Sequence, residues 1–358
     1  MKIAYIINSL DAGGGAFPLP SIIDVMRRQG HDVTVTSLME RDGLARAGLV
    51  QADVPFQVIG SARRRYLSTA LRLDQMLREQ KPDFLWTSLT HATVTGQLLG
   101  RLRGIPVISW LHNAWLKPAN LAILRKSWKM SSHWVADSAV AARFGLDEIG
   151  ISPDRLTVWP IYHGAPSPTR VIQQGDHILF GSLGRLHPNK GYDILLEAVA
   201  ALREIRPDLF ARVRFRVGGD GPARQELEAR KLALGLTNVD FVGHVHDTKA
   251  FLGKLDAYVQ PSHHEGFCIA AHEALTSGLP VIASPVGEMQ VSISQSGGGV
   301  LVPYGDHAAL ATMFANWTEQ HDDVRKMGDA AAAWMGRNYS HEAFSLRGKA
   351  ALDAAGVR

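Results

Sequence analysis

Short apolar runs recur along the chain. Each leads into a polar stretch, often carrying glycine, and most are followed by a segment whose apolar positions fall three and four apart. In the first half, residues 2–8, 32–37, 56–59, 84–87, 107–110, 134–136 and 156–159 read as strands, with helices over 17–29, 67–80 and 92–103. A second series begins at Ile178, with strands over 178–183, 213–217, 239–242, 257–259, 281–283 and 300–302. Its helices read as 192–203, 223–234, 248–255, 268–275, 307–319 and 324–338, and a last amphipathic helix covers 344–355. Strands alternating with helices predict an α/β protein whose parallel sheets are covered on both faces. Residues 161–175 are rich in Gly, Pro, Ser and Thr and lack periodicity, which predicts an interdomain linker. The 358 residues suit two domains of roughly 150 to 200 residues. We place them at 1–165 and 166–338, followed by a C-terminal helical segment at 339–358.

Composition changes this picture little. Hydrophobic residues make up 46% and charged residues 20%, as in ordinary soluble domains. The single cysteine, Cys268, excludes an internal disulfide and suits a reducing compartment, so a cytoplasmic location is expected. The apolar run at 2–8 is too short for a signal peptide, and no run approaches the length that spans a bilayer.

Charge is uneven. Residues 1–165 hold 19 Lys and Arg against 13 Asp and Glu, whereas residues 166–358 hold 19 against 21. The basic first half favours an anionic partner or surface. Arg63-Arg64-Arg65 is a dense positive run, and Trp115, Lys117, Arg125, Lys126, Trp128, Lys129 and Trp134 interleave aromatics with cations. That pattern suits a helix lying on an anionic membrane face; a solvated helix face with Trp128 in the core accounts for it better. No nucleic-acid motif occurs, so nucleic acid is not an expected partner.

The richest chemistry runs from Pro261 to Val281. Glu265 and Glu273 stand eight positions apart, with Glu265-Gly266 in a loop at a strand's carboxyl end and Glu273 on the helix that follows. The free N–H groups of Phe267, Cys268 and Ile269 at that helix's amino end suit a phosphate. Two acids flanking such an end suggest a ligand that is both sugar and phosphate. Alternatively, Glu265 is a helix cap and Glu273 an exposed helix acid. Upstream, Arg185 and Lys190 bracket a turn at another strand end, where Arg can grip phosphate by a fork and Lys adds a point charge. Gly218-Gly219-Asp220-Gly221-Pro222 makes a tight turn, and Gly243-His244-Val245 follows a further strand. In the first half, Gly13-Gly14-Gly15 permits close backbone approach to a ligand, and His112 stands just past a strand's carboxyl end, where open α/β sheets place their ligands.

In order and spacing these segments resemble family-4 glycosyltransferases, retaining enzymes of the GT-B fold. The most specific pieces are Gly184-Arg185-Leu186 with Lys190-Gly191, the turn at Gly218 to Pro222, and Glu265-Gly266-Phe267 through Glu273-Ala274 with Gly278-Leu279-Pro280-Val281. The resemblance covers nearly the whole chain. It implies two Rossmann-like domains facing across a cleft, the basic first one binding the acceptor and the second the nucleotide-sugar, with the final helix crossing back to the first domain. By motif position it assigns Arg185 and Lys190 to the donor diphosphate, Glu273 to the ribose, Glu265 to the transferred sugar's hydroxyls, and His112 to the sugar's neighbourhood. The loop at Gly243 to Val245 would pass beside the base, and Gly14, Gly15, Gly219, Gly266, Phe267, Cys268 and Ile269 would line the donor site.

The chain departs from the family at Ala16-Phe17-Pro18, where many relatives carry polar residues, and at Cys268, where a small residue, often Gly, is common. The expectation there is that the thiol narrows the phosphate pocket. No D-x-D occurs, so neither a metal nor another cofactor is expected. The implied reaction moves a hexose-type sugar from a UDP- or GDP-sugar to a glycan or lipid-linked acceptor, in bacterial surface polysaccharide or lipopolysaccharide synthesis at the inner membrane face. A nucleotide-sugar epimerase or hydrolase, and a non-catalytic nucleotide-sugar-binding protein, share these features.

Overall fold

A computed structural model describes residues 1–11, 14–40, 42–61, 66–164 and 177–358, apart from the side chains of 321 and 322. Gly13, the run Arg63 to Arg65 and the linker beyond Gly164 lie outside the described residues. The described residues divide into two compact units. One comprises Met1–His163 with Glu342–Arg358, the other Gly164–His341.

The first unit is built on β1 (Lys2–Ser9), β2 (Asp32–Met39), β3 (Phe56–Val58), β4 (Phe84–Ser88), β5 (Val107–Leu111), β6 (His133–Ala136) and β7 (Leu156–Val158). They form one parallel sheet in the order β3-β2-β1-β4-β5-β6-β7. β1 is central: Ile3 pairs with Val33 on one side and with Phe84 on the other. The second unit holds β8 (Ile178–Leu183), β9 (Val213–Gly218), β10 (Val239–Gly243), β11 (Ala257–Gln260), β12 (Val281–Ala283) and β13 (Gly299–Leu301), also parallel, in the order β10-β9-β8-β11-β12-β13. The strand order reverses between β1 and β4 in one sheet and between β8 and β11 in the other. Loops leave such a switch point in opposite directions and open a crevice outside the carboxyl ends. These two parallel-sheet units are the fold that the resemblance implies.

Buried aromatics fill both cores. Trp86, Trp110 and Trp159 pack together with ring centroids 5.0 to 6.2 Å apart in the first. Phe180, Phe215 and Phe314 do so at 4.9 to 5.2 Å in the second. The final helix, His341–Ala354, packs on the first unit through Phe344, whose ring lies 5.4 Å from Trp159 and 4.8 Å from His163.

Three expectations need correction. Helices Arg46–Gln51, Ala139–Phe144 and Met289–Ser296 were not predicted, because each is too short or too polar to repeat an apolar stripe. Ser138 starts the second by accepting from the Ala141 N–H at 3.0 Å. The linker does not begin at Ile161: that side chain is 3% exposed, in the first core. Finally, Trp134 is fully buried and its indole N–H donates to the Trp128 carbonyl, so it is not an interfacial residue.

The close seat of the last helix is testable at Gly348, where an added Cβ would lie 2.5 Å from Trp159 Cζ2 and 2.8 Å from Val25 Cγ1. Gly348→Val should cost about 3 kcal/mol through overpacking, read as a lower urea midpoint.

Candidate functional site

In the second unit the site grows from the switch point. β8 ends at Leu183 and its loop runs to Gly191; β11 ends at Gln260 and its loop runs to Cys268. The two loops are joined side chain to side chain. Lys190 Nζ lies 2.6 Å from Glu265 Oε1, and Ser262 Oγ donates to the same oxygen at 2.8 Å. Behind Ser262, the Gln260 amide donates to Oγ at 2.8 Å, and Tyr258 OH donates to Gln260 Oε1 at 2.8 Å while accepting from the Leu183 N–H at 3.0 Å. Asn189 adds a bond to the His264 carbonyl at 2.8 Å. Gly191, at φ 68°, lets the backbones meet, since an added Cβ would lie 1.9 Å from the Pro261 carbonyl. Burial disfavours the Lys190 ammonium, but the Glu265 carboxylate outweighs it and raises the pKa above the ordinary lysine value. The pair is 23% and 11% exposed. Arg185 is exposed, and its guanidinium has no partner among the described residues.

The neighbouring loops close in backbone to backbone. Gly219 takes φ 131°, and an added Cβ there would lie 1.9 Å from the Gly184 carbonyl. Its N–H donates to the Gly243 carbonyl at 2.7 Å, which brings the loop of His244 and Val245 alongside. His244 is exposed, and its ring lies 4.6 Å from that of His246.

Cys268 ends the Glu265 loop with φ 65° and ψ 70°, the left-handed region that glycine prefers. For a residue with a Cβ this costs roughly 1–2 kcal/mol. The thiol itself is buried near Glu265 and Lys190. The turn starts helix Ile269–Thr276, and the N–H groups of Cys268 and Ile269 meet no acceptor among the described residues. His272 lies beneath the turn, fully buried. Burial drops its pKa to about 4, so it is neutral near pH 7. Glu273 follows, half-buried and with no hydrogen-bond partner among the described residues, and burial pushes its pKa up to about 7. An unpaired carboxyl with so raised a pKa marks a candidate ligand contact rather than a structural ion pair.

In the first unit the switch point carries the Gly14-Gly15 loop and the end of β4. Leu89 adopts φ 74° and ψ 152°, a conformation that is almost glycine's alone, and a Cβ added at Gly15 would lie 3.7 Å from its Cδ2. Next to it, Ser88 Oγ lies 2.5 Å from His112 Nε2. His112 Nδ1 lies 3.5 Å from Asp137 Oδ2, and Trp110 stacks on the imidazole at 5.5 Å. Ser88, His112 and Asp137 stand at the ends of adjacent strands β4, β5 and β6, all buried. The carboxylate favours the proton on Nδ1, leaving Nε2 to accept from Ser88.

The candidate residues thus gather in two places. Lys190, Glu265, Gly266, Phe267, Cys268 and Ile269 surround the second switch point, with Arg185, Gly219, His244, Val245 and Glu273 on its flanking loops and helix. Gly14, Gly15 and His112 belong to the first unit. Sequence reasoning missed Ser262, Gln260, Ser88, Asp137, Leu89 and His272. Asp137 follows β6 as His112 follows β5, which is a usable signal; the backbone angles of Leu89 carry none. Among the described residues, no three His, Cys, Asp or Glu side chains could together hold a metal ion, and no helix is long and apolar enough to cross a membrane.

Residues 170–334 match the family described as glycosyl transferases group 1, and residues 14–161 match glycosyltransferase family 4. A D-inositol 3-phosphate glycosyltransferase of Streptomyces coelicolor is 36% identical over 216 residues, 56% of this chain and 47% of that protein. The match therefore spans about half that relative's length. The phosphatidyl-myo-inositol mannosyltransferase of Mycobacterium leprae is 28% identical over 363 residues, 95% of this chain and 93% of that protein. Among solved structures, Anabaena HepE in complex with UDP has the same fold, with a TM-score of 0.83 and 22% identity over 99% of this chain and 100% of that one. HepE has also been crystallised with UDP-glucose.

Glu273 yields a stability prediction. Its folded pKa, about 7, lies above the unfolded value, so burying the carboxylate costs stability once pH exceeds the unfolded pKa, and the cost is complete above 7. Glu273→Gln should therefore stabilise the protein by about 2 kcal/mol at pH 8, with the gain gone by pH 4.5. Urea unfolding at the two pH values reads the difference.

Proposed function

Because the chain belongs to the group 1 glycosyltransferases, with family 4 matching its first half, we propose that it moves a hexose-type sugar from a UDP- or GDP-sugar to a glycan or lipid-linked acceptor. In this reading the transfer retains the anomeric configuration and needs no metal. The observation that carries it is the second switch point, whose loops and following helix hold Lys190 and, without partners among the described residues, Arg185, the N–H groups of Cys268 and Ile269, and Glu273. The UDP and UDP-glucose bound by HepE support a nucleotide-sugar donor.

Breaking the anomeric C–O bond leaves positive charge on the sugar and negative charge on the diphosphate. Fixed donors aimed at that diphosphate stabilise the transition state more than the ground state. Arg185, Lys190 and the N–H groups of Cys268 and Ile269 take this role. Lys190 brings Glu265 with it, so the carboxylate is held beside the sugar while the ammonium keeps two hydrogens for phosphate. Glu273 accepts from the ribose hydroxyls as a carboxylate. The acceptor hydroxyl attacks the anomeric carbon on the face the diphosphate leaves, and a phosphate oxygen takes its proton. In the first unit, His112, fixed by Ser88 and Asp137, is the group we assign to a sugar hydroxyl. We place the product in bacterial surface polysaccharide or lipopolysaccharide assembly. Peripheral binding to an anionic membrane would use the basic first unit, where Trp115 and Ile123 are exposed beside Lys117 and Lys126.

Two outcomes test the reading. Incubation with UDP- and GDP-sugars and bacterial lipid-linked acceptors should give a glycoside of retained anomeric configuration, at a rate EDTA leaves unchanged, and Arg185→Ala should lower kcat/KM by about a hundredfold. An inverted product, or loss of activity in EDTA, contradicts it. Affinity for UDP-glucose, whose diphosphate does not titrate near neutrality, should fall toward tenfold per pH unit below 7 as Glu273 protonates, and Glu273→Gln should flatten that profile.

A further inference from the structure

Outside the groups that face the donor, the second unit buries an imidazole against its most strained turn. Cys268 holds φ 65° and ψ 70° with a side chain where glycine is preferred, and that side chain gives the helix no capping hydrogen bond. One helical turn later, His272 Nδ1 lies 2.9 Å from the Cys268 carbonyl oxygen. A carbonyl only accepts, so Nδ1 carries the proton and Nε2 accepts from the Ser292 hydroxyl, 2.9 Å away. Ser292 belongs to helix Met289–Ser296 and is itself buried. The imidazole ring lies 4.0 Å from the Phe267 ring at 30°, and Tyr339 meets both rings edge-on at 5.5 Å. One side chain thus touches both residues of the turn and ties them to a second helix.

We propose that His272 is a positioning residue: it clamps the Phe267–Cys268 turn in the left-handed geometry that points the N–H groups of Cys268 and Ile269 at the donor diphosphate. This rests on the donor-site reading above. The clamp and a glycine at 268 are alternative solutions to one backbone problem. Glycine adopts the left-handed turn without strain, so a chain with glycine there has no need of the imidazole. The two positions are therefore coupled in a direction that ordinary core packing does not produce.

The test is a cycle of wild type, Cys268→Gly, His272→Leu and the double variant, with His272→Asn added because its amide keeps a donor near the Nδ1 position. UDP and GDP are titrated by calorimetry into the full chain, and Tm is recorded for each protein without ligand. His272→Leu should weaken binding roughly tenfold, His272→Asn much less, and Cys268→Gly in the Leu background should restore affinity to within about threefold of wild type. Tm should follow, with glycine recovering most of the drop. Wild-type affinity in His272→Leu, or an equal loss in both backgrounds, overturns the proposal. If wild type binds neither nucleotide, the donor reading falls and the role in presenting amides falls with it. The Tm cycle then separately decides the clamp, which stands if glycine restores Tm and falls if it does not.

Discussion

Glu265 accepts from Lys190 and from Ser262 at one oxygen, and that shared carboxylate joins the two loops on which the second switch point depends. Neither loop has secondary structure of its own beyond the single turn Pro188–Lys190, so their separation is set by the groups that cross between them. Removing one member of such a partly buried pair leaves an uncompensated charge, which costs more than the pair itself contributes. The chain of hydrogen bonds from Leu183 through Tyr258, Gln260 and Ser262 anchors this carboxylate to the ends of the central strands β8 and β11. A parallel sheet thereby positions a charged pair that no regular element contains.

Both units hold strain where their loops leave the sheet. Leu89 and Cys268 carry side chains at backbone angles suited to glycine, each costing roughly 1–3 kcal/mol. Glu273 adds a half-buried carboxyl that has no hydrogen-bond partner among the described residues. Asp53 and Lys81, at turns after helices, are the other described non-glycine residues with positive φ, so the strain at Leu89 and Cys268 is the part that lies at the switch points. A fold optimised only for stability would place glycine at 268 and an apolar residue at 273. Local destabilisation against a well-packed background is what a ligand-binding crevice requires.

Most of the architecture was legible in the sequence, for identifiable reasons. Strands such as Ile178–Leu183 are short apolar runs buried on both faces, and the glycines after them mark their ends, so all thirteen strands of the two sheets were anticipated within a few residues. Short helices such as Ala139–Phe144 were not, because six residues cannot display a helical period. The site was legible at the level of residue type: Lys190 and Glu265 are a cation and a carboxylate in loops after strands, and Glu273 is a carboxylate on the helix that follows. Their pairing was not, since Lys190 was expected to face phosphate alone, and only three-dimensional register shows that it also holds Glu265. Cys268 was noticed as a departure, but its meaning lies in a φ angle. Asp137 went unremarked because its partner, His112, is 25 residues away in sequence, though both follow adjacent strands.

The central claim is that the amino end of helix Ile269–Thr276 receives the donor's diphosphate. Amide hydrogen exchange on the full chain in EDTA, with UDP, GDP and ADP each supplied in turn at millimolar concentration, addresses it directly. The account predicts that one nucleotide family slows exchange at Cys268 and Ile269, whose N–H groups meet no acceptor among the described residues, and also over the Gly184–Gly191 loop. Protection elsewhere with these two amides unchanged would contradict it, as would no protection with any of the three.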